Sequence, residues 1–349
     1  MLYKTNNSHG GDIYGENVIL DYSASINPFG APQSVKKAIC DAIGKIDCYP
    51  DPYCRELVEK IAEAENIPKD YILCGNGAAE LIYSYFEAVL PQKVLETAPT
   101  FSGYSEAIQN TDCRIVRYGL SKSNNFDLNG RILDFLSQEK PDVLVICNPN
   151  NPTGMIIPMS LLKKILDCCC QNNIRLFVDE CFLDLTTEGV SMKGYLKKYP
   201  NLFILKAFTK SYGMAGVRLG YCMSADSDLI EKMSLRVQPW NVSTVAQKAG
   251  ISALSENDFV EKSREYIEYE RKWLSCKLEE LGFWVCPSYA NYLLFHGKDD
   301  LDIKLKKKGI MIRNCGNYHG LGKDWFRIAV RLHNENEKLI SAIKSVYEG

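Results

Sequence analysis

One lysine in the chain has neighbours suited to covalent chemistry. It lies in Phe208-Thr209-Lys210-Ser211-Tyr212-Gly213, and Arg218 follows within Gly216-Val217-Arg218-Leu219-Gly220-Tyr221. An amine forms an imine with an aldehyde, and a sheltered site lowers its pKa toward reactivity. The flanking hydroxyls and the Arg218 guanidinium can hydrogen-bond and neutralise a phosphate dianion. A single lysine is far more often a solvated surface residue, so the assignment depends on its companions. Three segments supply them. Gly75-Asn76-Gly77-Ala78 joins the apolar Tyr71 to Cys74 to a helical Glu80 to Ala88, and glycines at such a turn expose backbone N–H groups at a helix N-terminus, where phosphate binds. Asn151-Pro152-Thr153-Gly154 offers an amide to a phenolic oxygen. Asp179-Glu180 follows an apolar run, and a carboxylate there can keep a pyridine nitrogen protonated, so that the ring works as an electron sink. Each segment alone could be a turn or a helix cap; in this order and spacing they are specific.

These residues follow apolar runs, which indicates how they are held. Asp142 to Cys147, Arg175 to Asp179 and Asn201 to Ala207 read as buried strands. Between the first two, Met159 to Cys170 has helical spacing in Leu162, Ile165, Leu166 and Cys169. Alternating strand and helix predicts an α/β fold whose mostly parallel sheet has helices on both faces, with ligands at the carboxyl ends of the strands. The pattern changes after Trp240. A long charged helix over Glu261 to Leu281 precedes short strands at Tyr292 to Phe295, Ile310 to Arg313 and Trp325 to Val330, then a final helix through Glu335 to Tyr347. The expected organisation is an N-terminal arm (1–30) packing with the small domain and the active site, a large domain (31–240) and a small α+β domain (241–349).

Bulk properties exclude several function classes. With 349 residues, 46% hydrophobic and 24% charged, the chain has material for two globular domains. A formal net charge of −2 gives no general attraction to nucleic acid or to an anionic membrane. Lys304, Lys306, Lys307 and Lys308 read as a solvated helix face. The 14 cysteines form no C-x-x-C pair, and Cys168, Cys169 and Cys170 are consecutive, so neither a disulfide framework nor a zinc site is expected. Met1 to Gly11 is polar, and no run reaches the roughly 20 apolar residues that span a bilayer. A cytoplasmic protein is expected.

The series GNGA, PTF, NPNNPTG, VDE, FTKSYG and GVRLGY resembles the fold-type I pyridoxal-phosphate enzymes of the aminotransferase class I/II superfamily. The resemblance implies the pyridoxal-phosphate-dependent transferase fold, a large domain with a mostly parallel seven-stranded sheet plus the smaller α+β domain, and pyridoxal 5'-phosphate held covalently on Lys210. It implies Asp179 as partner of the ring nitrogen, Asn151 at the phenolic oxygen and Phe101 stacked on the ring. Gly77, Ala78, Thr209 and Arg218 would hold the phosphate. Tyr49, in Tyr49-Pro50-Asp51-Pro52, would reach the phosphate in the other subunit of a homodimer with shared active sites.

Two groups within the superfamily, both acting on phosphorylated substrates, fit this frame: the histidinol-phosphate aminotransferases and the threonine-phosphate decarboxylases of cobalamin biosynthesis. The chain resembles the decarboxylases in Ser8-His9-Gly10-Gly11-Asp12-Ile13, in Ser23-Ala24-Ser25-Ile26-Asn27-Pro28 and in Phe182, where the aminotransferases usually carry a tyrosine. Pro239 to Ser243, Ala290 to Leu294 and Ile312 to Tyr318 lean the same way. The implied reaction is decarboxylation of O-phospho-L-threonine to (R)-1-aminopropan-2-yl phosphate; decarboxylation of phosphoserine is an alternative, as is transamination with glutamate. Arg327 would bind the substrate carboxylate and Arg313 the phosphate. Ser8 and His9 would close from the arm, with Asn27 and Arg331 nearby. A transcription regulator built on this fold would need a basic helix-turn-helix segment, which is not expected here.

Overall fold

The computed structural model describes residues 9–14 and 17–347. In chain order the strands are β1 (Leu20–Asp21), β2 (Ile72–Gly75), β3 (Lys93–Ala98), β4 (Arg114–Gly119), β5 (Val143–Cys147), β6 (Arg175–Asp179), β7 (Leu202–Ala207), β8 (Gly220–Ser224), β9 (Trp284–Val285), β10 (Tyr292–His296), β11 (Ile310–Met311), β12 (Arg313–Asn314) and β13 (Trp325–Ala329). The large sheet has seven strands in the order β2-β8-β7-β6-β5-β3-β4. Pairing is parallel from β7 through to β4, and β8 runs antiparallel to both its neighbours.

The apolar runs become central strands because both of their faces are covered. Along β5, β6 and β7, Leu144, Ile146, Leu176, Val178, Leu202 and Ile204 join one core, which Leu162, Ile165, Leu166 and Cys169 of helix Met159–Gln171 complete. The alternate residues Val143, Val145, Phe177, Phe203 and Leu205 face a second core with Leu81, Tyr85 and Phe86 of helix Gly77–Val89. Its rings pack tightly, with Tyr85 and Phe203 centroids 4.5 Å apart and Phe177 and Phe203 4.7 Å apart.

The reversed direction of β8 decides where the site forms. Gly75 at the end of β2 and Ala207 at the end of β7 both pair with Gly220 at the start of β8. The segments after β2 and β7 and the segment before β8 therefore meet at one edge. Gly77, Lys210 and Arg218 are brought together by register, despite their separation in sequence.

The smaller body is a four-stranded antiparallel sheet, β12-β13-β10-β9, against the helices Asn257–Glu280 and His333–Tyr347. The arm joins it through β1, which pairs in parallel with β11, and through buried Tyr22. Helix Thr244–Ala253 packs elsewhere. Val242, Ala246, Ala249 and Ala253 lie in the first large-sheet core, so the packing carries the large body past residue 240. Among the described residues, no helix is long and apolar enough to cross a membrane.

Candidate active site

Where the two bodies and the arm meet, a cavity of about 240 Å³ is lined by Lys210, Asp179, Asn151, Arg218, Arg313 and Arg327, among others. Lys210 projects from the one-turn helix Phe208–Ser211, directly after β7. Burial, then the charges of Arg327 and Arg218, lower its amine to about 8, with Cys181 and Asp179 opposing them. Its Nζ lies 5.4 Å from the centre of the Phe182 ring. An amine in that range keeps a reactive neutral fraction near physiological pH, as a nucleophile or proton carrier must.

Three walls surround the lysine. At the first, helix Gly77–Val89 begins beside Arg218. Gly77 has φ +79°, and a Cβ there would overlap the Arg218 guanidinium. Ala78 and buried Thr209 line the same region. Backbone donors, a hydroxyl and a guanidinium thus converge, as a phosphate site requires. The second wall is Asp179, at the end of β6. Its carboxylate accepts hydrogen bonds from the Tyr104 hydroxyl (2.6 Å) and the Cys181 N–H (2.8 Å). Burial raises the Asp179 carboxyl above its ordinary range, while those bonds and the Lys210 charge pull it back. Phe101 lies nearby, its ring 5.5 Å from that of Tyr104.

The third wall is cationic. Arg313 on β12 and Arg327 on β13 are direct cross-strand partners, and both line the cavity. Like charges in that register repel one another. Arg327 is only 6% exposed. It donates to the Asn151 side-chain oxygen and to the Ser23 carbonyl (2.8 Å), both neutral acceptors. Among the described residues its buried Nε has no partner, nor has the Oγ of Ser25, which also lines the cavity. Arg313 donates to the Asn314 carbonyl (2.6 Å) and the Asn317 side chain (2.7 Å). Two guanidinium groups and two polar atoms with hydrogen-bonding capacity to spare give this wall the chemistry to accept anions.

The remaining expected residues fall in different places. The His9 ring lies 5.5 Å from that of Phe101, and its Nε2 is 3.1 Å from a Glu106 carboxylate oxygen. Ser8 lies outside the described residues. Asn27 does not line the cavity. Its amide donates to the Ser211 carbonyl and the Ser263 hydroxyl, both at 2.8 Å, and its N–H to the Lys210 carbonyl at 3.1 Å. It buttresses the lysine turn rather than facing a substrate. Arg331 is also turned away, paired with Glu335 at 3.1 Å and donating to the Asp21 carbonyl at 3.0 Å. Tyr49 is 79% exposed and stacks on Trp240 at 4.4 Å, away from this cavity. Sequence reasoning missed Tyr104, Ser25 and Tyr318, whose hydroxyl donates to the Asn151 side-chain oxygen at 3.2 Å. Tyr104 lies close to Phe101 in PTFSGY, and Ser25 and Tyr318 lie within Ser23 to Pro28 and Ile312 to Tyr318, segments that carry the family resemblance.

Residues 17–343 match the family model described as aminotransferase class I and II. The threonine-phosphate decarboxylase of Salmonella typhimurium is 33% identical, over 99% of this chain and 98% of its own. An adenosylcobalamin biosynthesis bifunctional protein from Leptospira interrogans is 32% identical over 95% of this chain and 39% of its own length. Among solved structures, the histidinol-phosphate aminotransferase from Clostridium acetobutylicum superposes with a TM-score of 0.87 at 30% identity, covering 94% of this chain and 99% of that one.

Proposed function

Since the chain belongs to the aminotransferase class I and II family of pyridoxal-phosphate enzymes, we propose that it decarboxylates O-phospho-L-threonine to (R)-1-aminopropan-2-yl phosphate and carbon dioxide, a step of cobalamin biosynthesis.

The cofactor fits the residues present. Gly77, Ala78, Thr209 and Arg218 would hold its phosphate, Asp179 its ring nitrogen, Asn151 its phenolic oxygen and Phe101 a ring face, with Lys210 as the point of attachment. When bound, pyridoxal phosphate supplies a sink for the electron pair released as a bond at the substrate α-carbon breaks. A glycine with positive φ against Arg218 gives this assignment a direct test. Gly77→Ala introduces both backbone strain and contact with the guanidinium. It is expected to weaken cofactor affinity about tenfold or more, equivalent to at least about 1.4 kcal/mol, read from an absorbance titration.

The observation that carries the substrate class is the cross-strand pair of Arg313 and Arg327. A phosphorylated amino acid presents two anions, and the two guanidinium groups can take one each. Arg327, facing the Lys210 amine electrostatically, is the carboxylate anchor, and Arg313 is the phosphate anchor. Holding both ends would orient the substrate and so select which bond at its α-carbon breaks. Once carbon dioxide leaves, the α-carbon needs a proton, which the Lys210 amine is poised to deliver. Phe182 beside that amine carries no hydroxyl, in keeping with the decarboxylase reading. In a homodimer Tyr49, exposed on this chain, would reach the cofactor phosphate of the partner subunit.

Loaded enzyme is expected to release one carbon dioxide per O-phospho-L-threonine consumed, with no keto acid added. Turnover that requires a keto acid and releases no gas would select the second reading, histidinol-phosphate aminotransferase, which the 30% identity to that solved structure supports. Equal rates with phosphoserine would widen the substrate class.

A further inference from the structure

Beneath the Lys210 turn lies a second cavity, of about 390 Å³, lined by charged groups the proposed reaction does not use. Its centre is Lys206 on β7, whose side chain is 6% exposed. The Lys206 ammonium is 2.7 Å from one Asp184 carboxylate oxygen and 3.1 Å from Glu65. Glu65 also accepts from Lys193 at 2.6 Å and from the Tyr221 hydroxyl. The second Asp184 oxygen accepts from the Ser211 hydroxyl at 3.2 Å, and the Asp184 carbonyl accepts from Arg264 Nε on the long helix Asn257–Glu280. Glu180, fully buried, accepts from the Ser191 hydroxyl (2.6 Å) and the Met192 N–H (2.8 Å), and it feels the same Lys206.

Buried ion pairs are poor stabilisers, because a well-packed apolar replacement is often as stable or more so. What such a cluster does supply is direction, since each carboxylate oxygen fixes a named donor. Ser211 adjoins Lys210, and its hydroxyl is the point at which this network touches the lysine turn. From the opposite side Asn27 holds the Lys210 and Ser211 carbonyls.

We propose that Asp184 is a positioning residue for Lys210: clamped by Lys206, it fixes the Ser211 hydroxyl and so aims the one-turn helix Phe208–Ser211 into the cofactor cavity. The proposal rests on the reading of Lys210 as the attachment point, and is independent of which substrate is used.

The test is a pH titration of the visible band of the loaded enzyme, combined with steady-state kinetics. The charged or titratable groups facing Lys210 are Arg327, Cys181, Arg218 and Asp179. Those on the network side are Asp184, Lys206, Glu65, Glu180, Lys193, Glu256, Arg264, Tyr212 and Tyr221. Asp184→Ala is expected to move the band's midpoint by about half a pH unit or more and to lower kcat about tenfold, with KM within about threefold. Ser211→Ala removes only the hydroxyl and is expected to move both readouts in the same direction, which keeps the test available if Asp184→Ala does not fold. Lys206→Met is expected to reproduce the loss and Lys206→Arg to restore it. Midpoint and kcat unchanged in folded Ser211→Ala and Asp184→Ala proteins would overturn the proposal, even with a lower Tm. A wild-type enzyme lacking a visible band would instead overturn the assignment of Lys210.

Discussion

The Lys210→Ala variant is expected to fold like the wild type, to carry no covalently held cofactor, and to turn substrate over at least about 10⁴-fold more slowly. The fold should survive because the side chains that tie this turn to the large core are Phe208 and Tyr212, and both are kept. The chemistry should not survive, because the amine is both the attachment point and the proposed proton carrier. Its lowered pKa adds a pH signature. Protonated amine cannot attack an aldehyde, so capture of pyridoxal phosphate by cofactor-free wild-type chain should rise about tenfold per pH unit below about 8 and level off above it. An unshifted lysine would keep climbing to its ordinary value of 10.5. Stopped-flow absorbance measures the profile, and absorbance with circular dichroism characterises the variant. Appreciable turnover by Lys210→Ala would refute the site assignment.

The second large effect belongs to the paired arginines, which should separate by substrate group. Arg313→Ala is expected to cut kcat/KM for O-phospho-L-threonine about 10²- to 10³-fold, matching the loss of a charge-assisted contact of about 3–4 kcal/mol. The same change should scarcely alter the rate with unphosphorylated threonine, so the wild-type preference for the phosphorylated substrate collapses. Arg327→Lys should be severe with both substrates. A lysine keeps the charge but cannot hold a carboxylate bidentately while also reaching Asn151 and Ser23. A uniform loss on both substrates from Arg313→Ala would mean that it does not hold the phosphate.

Much of the large body was readable from the chain because its signals are local. β6 was expected at Arg175 to Asp179, where it lies, and β5 and β7 begin one residue later than read. A run of four to six apolar residues between turns leaves few alternatives, and helix Met159–Gln171 buries the spaced residues that defined it. Partnerships across the fold left no such mark. Tyr104 meets Asp179, Asn27 holds the turn containing Ser211, and Tyr318 reaches Asn151, each across a long stretch of sequence. No periodicity encodes those meetings. Arg331 shows the converse difficulty: its neighbour Glu335, one helical turn on, neutralises it locally, and residue type alone cannot separate a ligand-seeking arginine from a satisfied one. The change in composition after Trp240 was real, yet Val242, Ala246 and Ala249 follow the large core because an apolar helix face packs wherever a complementary surface lies.

The antiparallel strand β8 also affects when the site can exist. β2 is synthesised early but, among the described residues, pairs only with β8, Ile72 meeting Met223, after the parallel strands between them have all been made. A contact so distant along the chain carries a loop-closure entropy that nearer pairings do not, and it slows assembly accordingly. Until β8 is inserted between β2 and β7, Gly77 and Arg218 have no reason to be neighbours. The capacity to grip a phosphate thus belongs to the finished sheet, and its appearance during refolding would time-stamp the closing of the large sheet's longest loop.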